Sequence, residues 1–118
     1  MKKLLAAAMI IGSMGSSAAV LAADASNGQA IVERTNCAAC HGAGLNKPIS
    51  AEYPKLAGQY EDYVYFALRA YQAGGSSSPL FGRNNAIMSA QVQNLSEDDL
   101  RDIAAYVQSL PGDLVQKK

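Results

Sequence analysis

The most regular pattern of apolar positions lies near the end of the 118-residue chain. Five apolar residues recur there three and four positions apart, the period of a helix that packs on one side: Leu100, Ile103, Ala104, Val107 and Leu110. Ser96 precedes three acidic residues, as in a capped helix start, and Leu95 and Leu100 flank that cap as a hydrophobic staple. Pro111-Gly112 indicates where the helix ends. We therefore predict a helix from about Ser96 to Leu110.

Two further stretches carry a helical period. One runs from about Asn27 to Arg34, and the other runs from about Tyr60 to Gln72, between glycines. Residues 42–57 and 74–85 are rich in glycine, proline and serine, which predicts loops. No run of alternating apolar residues predicts a strand. The sequence therefore predicts an all-α fold with long loops, in which a bound group supplies apolar contacts that so small a core lacks.

The first 23 residues have the layout of a secretory signal peptide. Two lysines form a basic start, an apolar run follows, and small residues lead to Ala23. An uncleaved membrane anchor is the alternative, but glycines and serines make the stretch a poor membrane span. We predict cleavage after Ala23, while Ala22 and Ala25 would also serve. Residues 24–118 then form one domain, exported to the periplasm and not inserted stably in a membrane.

Charge and composition exclude several classes of function. Ten Lys and Arg residues balance ten Asp and Glu residues, so the chain has neither a basic surface for nucleic acid nor a composition typical of disorder. The single histidine excludes metal sites that need two or more histidines. Without the leader, eight basic residues remain against ten acidic ones, a net charge of −2, and Met88 is the only methionine.

Cys37-Ala38-Ala39-Cys40-His41 is the Cys-x-x-Cys-His pattern of c-type haem attachment. Two thiols three residues apart on a helical turn can bond to the two vinyl groups of a porphyrin, and the next residue directs its imidazole at the iron. Three alternatives fit less well. A thioredoxin-like dithiol needs a βαβ context, a structural zinc site needs a fourth ligand, and a disulfide across two residues adds little stability. The pattern therefore predicts one haem c on Cys37 and Cys40, with His41 on the iron.

The second axial ligand is predicted by elimination. The chain has no second histidine, and Met88 is the only methionine outside the leader. A lone methionine often fills a core, but Met88 lies in a polar segment, residues 83–89, that predicts irregular structure rather than a packed stripe. A thioether opposite histidine is a known haem pairing that raises the reduction potential. His41 and Met88 together would leave no iron position for a substrate, which predicts an electron carrier.

With these motifs in this order, the mature chain resembles the class I cytochromes c, and most closely the small bacterial cytochrome c553 and c4 type. The segments that carry the resemblance are Cys37 to Gly42, Tyr53 to Gln59, Asn85 to Met88, Leu95 to Leu100 and Ala104 to Tyr106. Cytochrome c4 has two haem domains, so this chain, with one haem motif, would match a single half. The resemblance implies an all-α fold of three to four helices and long loops wrapped around one covalently bound haem.

The resemblance also implies roles for residues outside the haem motif. The backbone carbonyl of Pro54 would accept a hydrogen bond from His41 Nδ1 and so fix the ring. Leu56 and Ile87 would pack on the haem. Gly28 would let the N-terminal helix cross closely over the C-terminal one. Candidates for contacts to the haem propionates are Gln59, Tyr60 and Arg83.

These observations predict a periplasmic monohaem c-type cytochrome that carries single electrons and is not an enzyme. Its partners would be a redox-protein donor and acceptor, such as a respiratory complex or a terminal oxidase or reductase, and the chain would be a monomer. The alternative is a haem enzyme subunit or a gas-binding sensor with a labile sixth ligand. A thiol protein without haem is the third hypothesis.

The distribution of charge predicts the character of the surface that meets these partners. In the family's geometry, the exposed haem edge lies between the segments around Cys37 and Met88. Lys47 is the only charged residue in 37–50, and Arg83 is the only one in 74–96. We therefore predict a nearly neutral docking face, formed by residues 37–50 and 74–96, that meets its partners mainly through apolar contact.

Overall fold

The computed structural model describes residues 22–77 and 81–114, together with Gly12 and Gly15. Nearly all of the predicted leader lies outside the described residues, so its cleavage stays a prediction. Within the described part, the regular structure is helical throughout and contains no strand. Its elements are α1 (Ala25–Arg34), α2 (Ala38–His41), a 3₁₀ turn (Ala43–Leu45), α3 (Glu61–Ser77), α4 (Ala86–Val92) and α5 (Glu97–Ser109). The all-α prediction is confirmed, and the short helices α2 and α4 are added to the three expected from periodicity.

The core forms where α1 crosses α5 and α3 packs beside them. Its buried residues belong to one cluster: Ile31, Val32, Leu45, Val64, Tyr65, Leu100, Ile103, Ala104 and Val107. Gly28 is buried at the crossing, where an added Cβ would overlap the carbonyl oxygen of Asp102 and stand 2.9 Å from the Cβ of Tyr106. Only glycine permits so close an approach of two helices. The close crossing that the resemblance implied is therefore present.

α5 begins with the predicted cap. Ser96 Oγ accepts a hydrogen bond from the Asp99 N–H at 3.1 Å, and the Asp99 carboxylate accepts one from the Ser96 N–H at 2.9 Å. Glu97 and Arg101, one turn apart, form an ion pair of 2.9 Å. The hydroxyl of Tyr65 on α3 donates to Glu97 at 2.8 Å, and burial raises the pKa of Tyr65, which keeps that donor protonated. Glu97, in the first turn of α5, therefore joins this helix to α3.

α3 keeps helical geometry about as far as the sequence predicted. The predicted end was about Gln72, with Gly74 as the boundary, and Gly74 adopts φ 67° and ψ 158°, which is not helical. A short second helical stretch follows this kink as far as Ser77, within the segment predicted as a loop. Further on, the Arg83 N–H donates to the Ala70 carbonyl at 2.9 Å, so the returning chain runs back along α3. None of the described helices, α3 included, is long and apolar enough to cross a membrane.

Gly28→Ala tests the close crossing of α1 and α5. We expect the free energy of unfolding to fall by about 3 kcal/mol or more, the upper range for an overpacked core, because the new Cβ cannot fit unless the helices separate. Denaturant unfolding followed by circular dichroism measures the change. Gln29→Ala, on the exposed side of α1, is the matched control and should stay within about 0.5 kcal/mol of the parent. Equal stability of Gly28→Ala and the parent would contradict the crossing.

Candidate functional site

The Cys-x-x-Cys-His segment lies at the turn that leads from α1 into α2. Thr35 Oγ1 donates to the Ile31 carbonyl at 2.8 Å and closes the last turn of α1. Asn36 then adopts a left-handed φ of 56°, which asparagine tolerates better than most residues. The Cys37 N–H donates back to the Val32 carbonyl at 3.2 Å. This turn directs the chain into α2 and packs Cys37 against the core.

The two thiols and the imidazole occupy little more than one helical turn. Cys37 is the N-cap of α2, and His41 is its last residue. Cys37 and Cys40 are both free thiols and half-buried. Residues three apart on a helix are neighbours on its surface, so the two sulfur atoms belong to one side of α2. Such a pair can bond to two points along one edge of a planar molecule.

His41 is held by a backbone carbonyl from thirteen residues further along the chain. Its ring nitrogen Nδ1 lies 2.8 Å from the carbonyl oxygen of Pro54. A carbonyl only accepts hydrogen bonds, so Nδ1 carries the proton and Nε2 keeps its lone pair. The residue is only 5% exposed, and no hydrogen bond of Nε2 occurs among the described residues. The geometry is that of an imidazole oriented for metal ligation through Nε2.

The loop between the 3₁₀ turn and α3 is folded so that Pro54 faces His41. Leu45 is buried and has a left-handed φ of 55°. Its carbonyl accepts the Leu56 N–H at 2.8 Å, which brings the far end of the loop back to its beginning. The Gly58 N–H donates to the Val107 carbonyl at 2.9 Å and ties this end of the loop to α5. These bonds attach the loop to residues of the core, and the core therefore determines where the Pro54 carbonyl lies.

Tyr53, next to Pro54, is a neighbour of His41 that sequence reasoning missed. The centres of the two rings lie 6.4 Å apart, with the planes inclined by 65°. An edge-to-face arrangement of this kind limits rotation of the imidazole from a second direction. The only signal in the sequence was the position of Tyr53 beside Pro54 in the segment that carries the resemblance.

Met88 lies in a helix, so the prediction of irregular structure for residues 83–89 is correct for 83–85 and wrong from Ala86 onward. The side chain of Asn85 caps α4 by accepting the Met88 N–H at 2.9 Å. Ser89 Oγ donates to the Tyr71 carbonyl at 2.9 Å, so α4 is attached to α3. Met88 is half-buried in the first turn of α4. The segment was too short and too polar to show a helical period, and tertiary contacts stabilise it instead.

Leu56 and Ile87, which the resemblance places in the haem pocket, lie on different elements. Leu56 is half-buried and packs against the core cluster from the loop that carries Pro54. Ile87 lies beside Met88 on α4 and is 54% exposed, which is high for an isoleucine. Of the predicted pocket residues, Pro54 is the one in direct contact with His41, through the hydrogen bond described above. No hydrogen bond links α4 to the His41 ring within the described part of the chain.

Arg83, one of the three propionate candidates, is held by two aromatic rings of α3. Its guanidinium carbon lies 5.6 Å from the centre of the Tyr63 ring and 5.4 Å from that of Tyr71. It also donates to the Tyr63 hydroxyl at 3.2 Å, and this hydrogen bond is the main cause of its raised pKa. Gln59 is placed differently, because its side-chain oxygen accepts the backbone N–H of Tyr60 at 2.8 Å.

The residues of the site fit a covalently bound haem. Free thiols can form thioethers, an oriented imidazole with an available Nε2 is a haem-iron ligand, and a methionine thioether is a common second ligand. Ile87, next to Met88 on α4, exposes 54% of its apolar side chain, and contact with a haem would cover it.

Comparison with known proteins agrees with this chemistry. The family model described as cytochrome c matches residues 25–111. Cytochrome c4 of Stutzerimonas stutzeri is 36% identical over 113 residues, which cover 94% of this chain and 51% of that protein. The thiosulfate dehydrogenase electron acceptor of Thiomonas intermedia is 39% identical over 89 residues, which cover 75% of this chain and 38% of that protein.

The solved structures give the same result. Reduced recombinant cytochrome c4 from Pseudomonas stutzeri superposes with a TM-score of 0.68 at 38% identity, and the match covers 79% of this chain and 48% of that one. The chain therefore spans about half the length of the cytochrome c4 proteins that it matches. The family model covers most of the chain, from the start of α1 to beyond the end of α5. The chain belongs to the cytochrome c family, and its cofactor is covalently bound haem c.

Proposed function

We propose that the chain is a periplasmic monohaem cytochrome that carries single electrons between redox proteins. Cys37 and Cys40 would hold the haem, and His41 and Met88 would be the axial ligands. The observation that carries the proposal is the hydrogen bond between His41 Nδ1 and the Pro54 carbonyl. It supports metal ligation because it directs the lone pair of Nε2 away from the loop and raises the basicity of the ring.

The two cysteines would attach the cofactor without an oxidant. Each thiol adds its sulfur to one carbon of a vinyl group and its hydrogen to the other, which leaves two thioethers. Cys37 is anchored by the turn at Asn36, so attachment fixes the haem relative to α1. When bound, haem c supplies a one-electron couple between ferric and ferrous iron.

The protein side of the site would favour electron transfer over catalysis. His41 is buried, and the hydrogen bond and the Tyr53 ring hold its plane in one orientation. Met88 would supply a thioether, which favours the ferrous state and raises the reduction potential. Asn85 fixes the first turn of α4, which limits the movement of Met88. With His41 and Met88 both holding the iron, no position on it would be left for a substrate or a gas.

Leu56 and Ile87 would contribute to the haem pocket from opposite sides. Leu56 is connected to the histidine side, because it follows Pro54 in the loop and packs on the core. Ile87 precedes Met88 and is largely exposed on α4. Contact with a haem would remove much of this apolar surface from water, at about 25 cal/mol for each Å² buried. The apolar surface buried against the haem would add to the small amount that the protein core buries by itself.

The proposed location and partners follow from the leader and the relatives. Residues 1–23 would direct export and be removed, and residues 24–118 would work in the periplasm as a monomer. The Thiomonas relative is named an electron acceptor of a dehydrogenase, which supports a carrier role. The donor and acceptor of this chain would be redox proteins, such as a respiratory complex or a terminal oxidase or reductase.

Met88→Ala tests the axial ligation. We expect the absorption band that arises from methionine-to-iron charge transfer in the ferric protein to disappear, because no other methionine remains in residues 24–118. The reduction potential should fall by at least about 0.1 V, within the roughly 0.8 V range that axial ligands span. Absorption spectroscopy and a redox titration measure both changes.

Gln91→Ala is the matched control for Met88→Ala, because Gln91 lies on the exposed side of α4. It should leave the band and the potential unchanged. A parent protein with five-coordinate iron that binds carbon monoxide or substrate readily would contradict the carrier proposal. That result would favour the haem enzyme or gas-sensor alternative.

The docking face is tested by electron self-exchange between ferric and ferrous copies. We expect the rate to change little between about 0.01 M and about 0.1 M salt, over which the Debye length shortens from about 30 Å to about 10 Å. The reason is that the face contains only Lys47 and the tyrosine-bound Arg83 as charges. Line broadening in nuclear magnetic resonance spectra measures the rate.

Ala90→Lys adds a charge to the exposed side of α4 within the docking face. Two such faces repel each other, so self-exchange should become slower at low salt and recover as salt is added. Asp98→Asn changes a charge on α5, outside the face, and should leave the salt dependence of the parent unaltered. A steep salt dependence in the parent would overturn the neutral docking face.

A further inference from the structure

Asp102 on α5 is bound to the first residues of α1. Its Oδ1 accepts the backbone N–H of Asp24 at 2.7 Å, and its Oδ2 accepts the side-chain amide of Asn27 at 2.7 Å. The Asp24 nitrogen therefore lies at ion-pair distance from a carboxylate. Asp24 is the N-cap of α1, directly before Ala25.

A second carboxylate lies at the same place. Asp24 Oδ1 accepts the backbone N–H groups of Ser26 and Asn27 at 2.9 and 3.1 Å. The Asn27 hydrogen bond is the main cause that lowers the pKa of Asp24, so this side chain is ionised at neutral pH. Two negative groups, Asp24 and Asp102, thus meet at the start of α1.

No cationic side chain in the described residues neutralises these two groups. The ion pairs found there are Lys55 with Asp113 and Arg101 with Glu97. From Asp24 to Glu33 the sequence contains no Lys, Arg or His. The arrangement has two negative charges beside one backbone nitrogen, and a positive charge on that nitrogen would complete it.

We propose that the leader is cleaved between Ala23 and Asp24, and that the α-ammonium group created on Asp24 forms an ion pair with Asp102. This inference rests on the proposed export of the chain. In the cleavage, water adds to the Ala23–Asp24 peptide bond under catalysis by a leader peptidase. The new carboxylate leaves with Ala23, and the new amino group stays on Asp24 and takes up a proton. Processing therefore supplies the cation that α1 and α5 share.

The geometry distinguishes among the three cleavage positions that suit the sequence. Cleavage after Ala22 would leave the Asp24 nitrogen as a neutral amide. The ammonium group would then be on Ala23, the residue before Asp24, about 3.8 Å away along the chain. Cleavage after Ala25 would remove Asp24, and with it the N-cap and the bond to Asp102. Only cleavage after Ala23 places the charge on the atom that Asp102 already contacts.

The ion pair would strengthen the contact that supports the haem segment. Gly28, where α1 crosses α5, lies one turn after Asp24. A positive charge at a helix N-terminus is ordinarily unfavourable because of the helix dipole. Here Asp102 contacts that nitrogen and the Asp24 carboxylate belongs to the same residue, so the two negative charges offset the dipole. Removal of the leader would thus stabilise α1, which leads directly into Cys37.

The first test determines the N-terminus of the exported, haem-loaded protein by mass spectrometry of its N-terminal peptide. We expect the peptide to begin with Asp24. A peptide that begins with Ala23 or Ser26 would overturn the inference, although the protein would still be an exported cytochrome. A protein that is exported without haem, or is not exported, would instead overturn the proposed function.

The second test titrates the new amino group. An unperturbed α-amino group has a pKa of about 7.7–8.0, and pairing with Asp102 should raise it. The stabilisation is then complete below that range and is lost as the pH rises through the raised pKa. Two elements supply the charged or titratable groups around the amino group. The start of α1 supplies the Asp24 carboxylate. Helix α5 supplies Asp102, together with Asp98 and Tyr106 one turn to either side of it.

Asp102→Asn keeps a hydrogen-bond acceptor for Asp24 but removes the charge. We expect the pKa of the α-amino group, measured from the pH dependence of its acylation rate, to return toward about 7.7–8.0. The loss of stability between neutral pH and pH 9 should also become smaller. Asp98→Asn is the matched control, with the same change of charge one turn earlier on α5, and should leave the pKa raised. An α-amino pKa that is the same in the parent and in Asp102→Asn would overturn the ion pair.

Discussion

The hydrogen bond from His41 Nδ1 to the Pro54 carbonyl joins the chemistry of this chain to its fold. It settles which ring nitrogen carries the proton, and therefore which one is available to a metal. The bond exists because the loop that carries Pro54 is closed on Leu45 and then tied to Val107 of α5. The only imidazole in the chain is consequently oriented by the core and not by its own short helix.

The same core holds the other half of the site. α1 crosses α5 at Gly28, and the turn after α1 places Cys37 against the packed cluster. Cys37 and His41 are thus fixed from two directions, by α1 on one side and by the Pro54 loop on the other. α4 is bound separately to α3, through Ser89. A haem attached to Cys37 and Cys40 and bound by Met88 would join α4 to the segment that contains His41. The cofactor would therefore complete the fold as well as perform the function.

The sequence predicted those features whose causes are local. α5 has its cap, its period and its stop within a few residues of one another, and the structure agrees with each of them. The haem motif is likewise contiguous. The predicted break in α3 is present at Gly74, whose φ and ψ are not helical. The short helical stretch beyond it, to Ser77, was not predicted because a propensity rule expects a loop after two glycines.

α4 was missed for a different reason. Its seven residues are held by contacts with α3, and such contacts leave no pattern in the segment itself. The contact between Pro54 and His41 was implied by family resemblance, and no periodicity could have indicated a bond across thirteen residues. Tyr53 was overlooked beside it because an aromatic residue in a loop carries no signal of its own.

We expect the Cys37–His41 segment to carry one haem bound through both thiols. The most direct measurement is the intact mass of the exported protein under denaturing conditions, which release any haem that is not covalently bound. The expected result is the mass of the polypeptide plus one haem, with no free thiol left to react with an alkylating reagent. A polypeptide mass without haem, or with either cysteine still free to be alkylated, would contradict it.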